Sequence, residues 1–380
     1  MTAGAKNASD VDNCLPCHVF EKRVDVVRFL IIPSRSWPWS CSPEPMNQSV
    51  YRIPVDVVLC TCNGARHIEA QWQSLQSQRW PVRIHVFDDG SDDETVSLIS
   101  GMLRPGVDQL HASSDRLGHV GNFERGLRTV LDSGANYIAF ADQDDVWRPD
   151  RVAVGMARMH ECEQADPDLP VLVHSDLAMI DATGQPMAES YLAWRGYRLG
   201  NSPDLARVLG QNGVMGNTML INRALGSLAL PFPRFTPYHD YWLAIAAELF
   251  GRRVFIDRPL VDYRIHRDNA SGKAALMADA AGAARLRRAG QGLWQRNLKL
   301  PFREDSRRAM IETLLATHDD RRRIAPAQRQ LIEAFLACLG GPGSRRKLFG
   351  ELWRRRFLHV DAAQSGRLAL AIALTRRYPD

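Results

Sequence analysis

Three apolar runs, each ending in a short polar cluster, set the fold class of this chain. Val55–Cys60, Arg83–Phe87 and Tyr137–Ala141 read as buried strands. They end in Thr61-Cys62-Asn63-Gly64, Asp88-Asp89-Gly90-Ser91 and Asp142-Gln143-Asp144-Asp145. Helical spacing follows each one: Ile68, Trp72 and Leu75 after the first, then Val96, Leu98, Ile99 and Leu103 after Ser91, which suits a helix N-cap. Val107–Ala112 is a weaker strand, and Val120–Leu131 a helix with Phe123, Leu127 and Val130 on one side. Pro149 suits the first turn of a helix reaching about Met159. Strands alternating with helices predict an α/β protein whose mostly parallel sheet carries helices on both faces. Ligands in such folds bind beyond the carboxyl ends of the strands, where all three polar clusters fall.

Farther along, Val171–Ile180 reads as a strand and Asp181–Gly184 as a turn. Gly210–Ile221 is rich in glycine and asparagine, and His239–Phe250 is a helix capped by Gly251. Arg253–Ile256 and Leu260–Ile265 read as two strands, and from Ala274 the pattern is mainly helical. This divides the chain into a leader (1–51), a catalytic domain (52–272) and a basic helical extension (273–380). The leader mixes prolines with polar residues, and Met46 just before the first strand is a candidate for the natural start of translation.

Of 380 residues, 45% are hydrophobic and 24% charged, the balance of a globular protein. The longest apolar runs outside the strands, Val26–Ile32 and Leu368–Leu374, are too short to span a bilayer. No secretory signal is visible, so the expected compartment is the cytoplasm. Seven irregularly spaced cysteines do not form a disulfide framework, and Cys14-Leu15-Pro16-Cys17-His18 reads as a chance match to a haem-attachment pattern. The net charge of +5 is unevenly spread: residues 281–380 hold 21 Lys/Arg against 9 Asp/Glu.

Three carboxylates within Asp142–Asp145 repel one another unless they are solvated or neutralised. Two accounts follow: a solvated acidic turn, or a site for a hard divalent cation such as Mg²⁺ or Mn²⁺ that also binds a diphosphate. The position after an apolar strand favours the cation. Asp88 and Asp89 are suited to accept hydrogen bonds from a nucleobase or ribose. Asp240, in His239-Asp240-Tyr241-Trp242, is either a helix N-cap or a general base. Trp242 is either a wall for an acceptor sugar or ordinary core. In Tyr263-Arg264-Ile265-His266-Arg267, strand alternation puts Arg264 and His266 on one face, with Arg264 and Arg267 as diphosphate partners and His266 as a metal or phosphate partner. Asn269–Gly272 suits a loop closing over a ligand.

The series from Val57–Gly64 through Asp88–Ser91 to Asp142-Gln143-Asp144-Asp145-Val146-Trp147 resembles the family 2 inverting glycosyltransferases of GT-A fold, and its last motif resembles bacterial rhamnosyltransferase-like members. The resemblance covers about residues 53–270. It implies that Thr61 and Asp88, with Asn63 and Asp89, contact the donor nucleoside. It also implies Asp142 and Asp144 as the metal-binding pair, with Asp144 the direct ligand, and Asp240 as the base. Gly216-Asn217-Thr218 is similar to the family's acceptor-side loop. Cys62 departs from the pattern, standing where the family more often has an aromatic residue.

The implied reaction moves a sugar, L-rhamnose from dTDP-rhamnose as the first candidate, onto a saccharide or lipid-linked acceptor in cell-envelope polysaccharide synthesis. A nucleotidyltransferase is the enzymatic rival, although it would usually show a glycine-rich phosphate loop. A non-catalytic membrane-associated scaffold is the other rival. The basic clusters Arg321–Arg323, Arg345–Lys347 and Arg354–Arg356 suit either peripheral contact with the inner membrane or a solvated helical cap. The acidic sheet portion and the lack of a recognition motif argue against nucleic acid.

Overall fold

The computed structural model describes residues 52–233, 236–266, 305–318 and 324–339. The leader with its haem-like pattern and Met46, Arg267, the 269–272 loop and the three basic clusters lie outside the described residues.

The first half alternates as expected: β1 (Val55–Thr61), α1 (Ile68–Gln76), β2 (Val82–Asp89), α2 (Thr95–Met102), β3 (Gln109–Ser113), α3 (Gly118–Asp132) and β4 (Tyr137–Ala141). Next come β5 (Val146–Trp147), α4 (Arg151–Ala165), β6 (Val171–Ile180), β7 (Pro186–Ala188), α5 (Tyr191–Arg195) and α6 (Leu205–Gln211). A single 3-10 turn, Gly216–Thr218, leads into β8 (Leu220–Asn222), α7 (Arg223–Ala229), α8 (His239–Phe250) and β9 (Arg252–Arg264). Two further helices are α9 (Asp305–His318) and α10 (Pro326–Leu339).

The strands form one sheet ordered β3-β2-β1-β4-β8-β6-β9-β5, with β7 paired to β6. The pairs β1–β2, β1–β4, β2–β3 and β6–β9 are parallel. Those of β8 with β4 and β6, and of β5 with β9, are antiparallel. The sheet is therefore mixed: its long pairings are parallel, and its short ones, made by β5, β7 and β8, are antiparallel. Three-residue β8 lies between the parallel group β3-β2-β1-β4 and the parallel pair β6–β9 and runs against both.

Alternation along β1 divides the core in two. Val58 and Cys60 face a layer with Phe87, Phe123, Leu127 and Phe140, while Val57 and Leu59 face Trp72, Ile84, Val86 and Trp147. Helices thus cover both faces, as the alternation of strands and helices predicts. Met310, Ile311 and Leu314 of α9, with Ile332 and Phe335 of α10, complete the first layer together with α8. Among the described residues, no helix is long and apolar enough to cross a membrane.

Two local expectations are corrected. The two strands read at Arg253–Ile256 and Leu260–Ile265 are one bent strand, β9, whose register with β6 slips at Ser175–Leu177; Pro259 sits at that irregularity, where a missing N–H is tolerated. Helix α2 starts at Thr95 rather than near Ser91, because Ser91 is held by Asp88. Short elements α5, α6, α7, β7 and β8 carry too few residues to show a period in the sequence.

Candidate active site

The parallel register of β1 and β2 sets Thr61 opposite Asp88 at the carboxyl end of the sheet. Thr61 Oγ1 donates to Asp88 Oδ1 at 2.8 Å, and Asp88 also accepts from the Ser91 amide at 2.8 Å and the Ser91 hydroxyl at 2.5 Å. Ser91 Oγ in turn accepts from the Asn63 amide at 2.8 Å, and Asn63 Oδ1 accepts from the Asp92 amide at 2.9 Å. Asn63 has a φ of 52°, a left-handed conformation that asparagine tolerates better than most residues. These bonds fix the first two polar clusters to one another.

The third cluster is tied to them by Gln143. Its Oε1 accepts from the Cys62 amide at 2.8 Å and its Nε2 donates to the Cys62 carbonyl at 3.0 Å. Gly64 leaves the space for this: a Cβ there would lie 2.2 Å from Gln143 Oε1. Gln71 of α1 donates to the Asp142 carbonyl at 2.9 Å. Sequence reasoning missed Gln143 and Ser91 as tethers, although both sit inside the motifs it singled out.

The carboxylates of the third cluster have different surroundings. Asp144 Oδ2 is 2.7 Å from Nε2 of His266, which lies two residues beyond the end of β9. Arg264 Nε donates to the Asp144 carbonyl at 2.9 Å. Asp145 is fully buried; it accepts from Asn217 Nδ2 at 2.5 Å and from the Arg264 amide at 3.1 Å. Burial pushes the Asp145 carboxyl well above the usual range, with the Asp144 and Asp142 charges adding to the effect. Asp142 is pushed up to about 7, first by burial and then by the charges of Asp144 and Asp240. His67, whose ring centroid is 4.9 Å from that of His266, is lowered to about 4 by burial and then by the Arg264 and His266 charges.

Asp240 lies in the first turn of α8, one residue past the helix start, and the N-cap position is held by Tyr238. The capping account of Asp240 is therefore corrected. Asn212 Nδ2 donates to its Oδ1 at 3.1 Å. Burial raises its carboxyl to about 7, opposed by the Tyr241 and Gly216 amides, by Asn212 and by the Arg307 charge. Gly216 is required beside it, since a Cβ there would lie 2.6 Å from Nε2 of the buried His239. Asn217 joins this turn to Asp145, and Arg151, whose guanidinium lies 3.3 Å above the Trp147 ring, supports the turn from below by donating to the Asn217 carbonyl at 2.8 Å.

Two expected site residues are engaged by other parts of the fold. Trp242 is 2% exposed and donates its indole N–H to the Ala229 carbonyl at 2.9 Å, so it is core and not a wall of the cleft. Asp89 uses both carboxylate oxygens on the Leu117 and Gly118 amides, at 2.7 and 2.9 Å, and anchors the start of α3.

Among the described residues, no group of three or more His, Cys, Asp and Glu side chains is arranged to hold a metal. Asp144 and His266, 2.7 Å apart, are two donor groups of the kind that a more open site uses. Mg²⁺ commonly uses one or two carboxylates and completes its shell with phosphate oxygens and water. A cation would also relieve the mutual repulsion that raises Asp142 and Asp145.

Residues 56–176 match the family model "Glycosyl transferase family 2". A dTDP-rhamnosyl transferase, RfbG, of Shigella flexneri is 32% identical over 98 residues, covering 25% of this chain and 34% of that protein. An uncharacterized glycosyltransferase, alr2836, of Nostoc sp. is 27% identical over 163 residues, 42% of this chain and 47% of its own length. The chain thus spans less than half of each of these relatives. Among solved structures, the mannosyltransferase PcManGT of Pyrobaculum calidifontis, in complex with GDP-Man and Mn²⁺, aligns with a TM-score of 0.49 at 18% identity, over 90% of this chain and 85% of that one.

Proposed function

We propose that this chain, whose residues 56–176 match the family 2 glycosyl transferase model, is an inverting glycosyltransferase that takes a sugar from a nucleotide-sugar donor. One observation carries the proposal. The half-buried carboxylates of Asp142 and Asp240, from distant parts of the sequence, are both raised to about 7, and the Asp240 charge is among the causes at Asp142. A donor-side acid cluster and a poised base thus share one site.

In this reading Thr61, Asn63 and Asp88 present the nucleoside-binding edge, and Arg264 and Arg267 stand by the diphosphate. Asp142, Asp144 and His266 hold Mg²⁺ or Mn²⁺, which supplies charge neutralisation for the departing nucleoside diphosphate. Asp240 takes the proton of the acceptor hydroxyl as that oxygen bonds to the anomeric carbon. The bond from the anomeric carbon to the diphosphate breaks, its electron pair leaves with the nucleotide, and the configuration inverts. A carboxyl raised to about 7 suits the role, because catalytic efficiency is best when a base titrates near the working pH. Gly216 and Asn217 form the turn on the acceptor side.

L-Rhamnose from dTDP-rhamnose is the proposed donor, supported by the 32% identity to the Shigella protein. The proposed acceptor is a growing saccharide or lipid-linked oligosaccharide of the cell envelope, with the basic carboxyl-terminal segments touching the cytoplasmic face of the inner membrane. The test is a panel of nucleotide sugars scored by thermal shift with and without Mn²⁺, since a ligand stabilises the state it binds. Metal-dependent stabilisation by dTDP-rhamnose above the other donors is expected; no stabilisation by any donor would defeat the reading.

A further inference from the structure

Trp242 is core, which leaves the acceptor side of the cleft without the aromatic surface that sugars commonly pack on. Among the described residues, two large aromatic side chains are exposed, Trp194 at 40% and Tyr238 at 50%. Both are tied to the site. Tyr238 is the N-cap residue of α8, two positions before Asp240. The Trp194 ring lies 6.0 Å from that of buried Tyr191, and Tyr191 lies 5.9 Å from Tyr263, the neighbour of Arg264 on β9. An aromatic ladder therefore runs from the surface at Trp194 inward to the strand that bears Arg264. The Asp240 charge is also felt at the Tyr191 hydroxyl.

Trp194 is held on a short but firmly fastened element. Ser190 caps α5 by accepting from the Ala193 amide at 2.9 Å, and its hydroxyl donates to Asp176 of β6 at 2.5 Å. Asp176 also accepts from the Leu192 amide at 3.1 Å, and Gly196, with a φ of 70°, ends the helix. A large indole exposed on a pinned scaffold has already lost the freedom that a flexible side chain would lose on binding. Beside it, the Arg195 guanidinium donates to the Tyr197 hydroxyl at 3.1 Å, which places polar groups next to the apolar ring. A saccharide needs this pairing: its C–H face packs on the electron-rich aromatic face while its hydroxyls find hydrogen-bond partners.

We infer that the exposed rings of Trp194 and Tyr238 form the platform on which the acceptor saccharide stacks on the Asp240 side of the site. This rests on the glycosyl-transfer reading above and adds the class of the acceptor-binding surface to it.

The test uses the full chain carrying 5-fluorotryptophan, saturated with Mg²⁺ and dTDP. Fluorine NMR follows its nine tryptophans, and Trp194→Phe identifies the Trp194 signal by its disappearance. The probes are methyl α-L-rhamnopyranoside, methyl β-D-glucopyranoside, the methyl glycoside of N-acetylglucosamine, and chitotriose. At least one probe should move the Trp194 signal. Trp194→Ala should weaken that probe's binding about tenfold, the loss of one favourable aromatic contact, while Trp194→Phe retains most of it. Thermal stabilisation by dTDP should be the same in all three proteins, which shows that the variants are folded. A Trp194 signal unmoved by every probe, or equal affinity in Trp194→Ala, overturns the inference. Absence of stabilisation of the wild-type protein by dTDP, UDP and GDP would instead defeat the transfer reading, and the fluorine arm still reports on a saccharide surface.

Discussion

Asn217 Nδ2 donates to Asp145 Oδ2 at 2.5 Å across 72 positions of sequence. This contact fastens the turn before β8 to the acidic loop after β4, and the Arg264 amide on the other oxygen of Asp145 adds β9 to the same knot. Asp145 is fully buried, so each partner matters to its neighbours as well as to the fold.

Asn217→Leu leaves that carboxyl short of its strongest donor. Stability should fall by about 1–3 kcal/mol, the cost of an unsatisfied buried group. Urea unfolding at pH 8 is the measurement. An unchanged midpoint would mean that the contact is dispensable.

Gly64→Ala should displace the Gln143 side chain and break both of its bonds to Cys62. Nucleotide affinity should drop, and Gln143→Ala should drop it by a similar amount. The double variant should be little worse than either single one, because both remove the same clamp. Fully additive losses in calorimetric titration with dTDP would refute the shared mechanism.

Asp240→Asn should keep nucleotide binding and lose transfer by roughly 10²–10⁴-fold, the usual worth of a general base. In the wild-type protein the rate should climb as pH rises through about 7, because the base works when ionised. The sign for stability is opposite. Burial favours the neutral acid in the folded state, so this residue's contribution is full below the ordinary carboxylate range and is lost as pH rises towards about 7. Relative to wild type, the asparagine variant should therefore gain stability from pH 5 to pH 8. A flat difference across that range would place the raised titration elsewhere.

Asp144→Ala should remove the Mn²⁺-dependent part of nucleoside-diphosphate binding while leaving metal-free binding largely intact. Calorimetry with and without Mn²⁺ separates the two. Equal metal enhancement in the variant and the wild type would remove Asp144 from the metal site.

The strand-end clusters were legible because burial on both faces makes continuous apolar runs, and polar residues at their ends stand out. The Asp144–His266 meeting joins residues 122 positions apart, beyond the reach of any local pattern. Asp240 was hard to read too. In α8, ten of twelve residues are buried, so no amphipathic stripe shows which side faces the cleft. The same burial explains Trp242: a tryptophan two places from a candidate base reads as a cleft wall until a helix buried nearly all round takes it into the core. Ser91 looked like a cap, yet its hydroxyl satisfies Asp88, a competition between side chains that local propensity does not register. Trp194 drew no notice, since exposure on a five-residue helix leaves no periodic signature.

Strands β4 and β6 are parted in the chain by β5 and α4 and do not pair in the sheet, because β8 is slotted between them. As the polypeptide leaves the ribosome, the three strands β1 to β3 and then β4 have their partners at once, while the free edge of β4 waits for Leu220–Asn222 to be made. Until then that edge is open to the wrong strand. The seam that closes the sheet is also the one beside Asn217, so the cleft takes its final shape only when the late strand arrives.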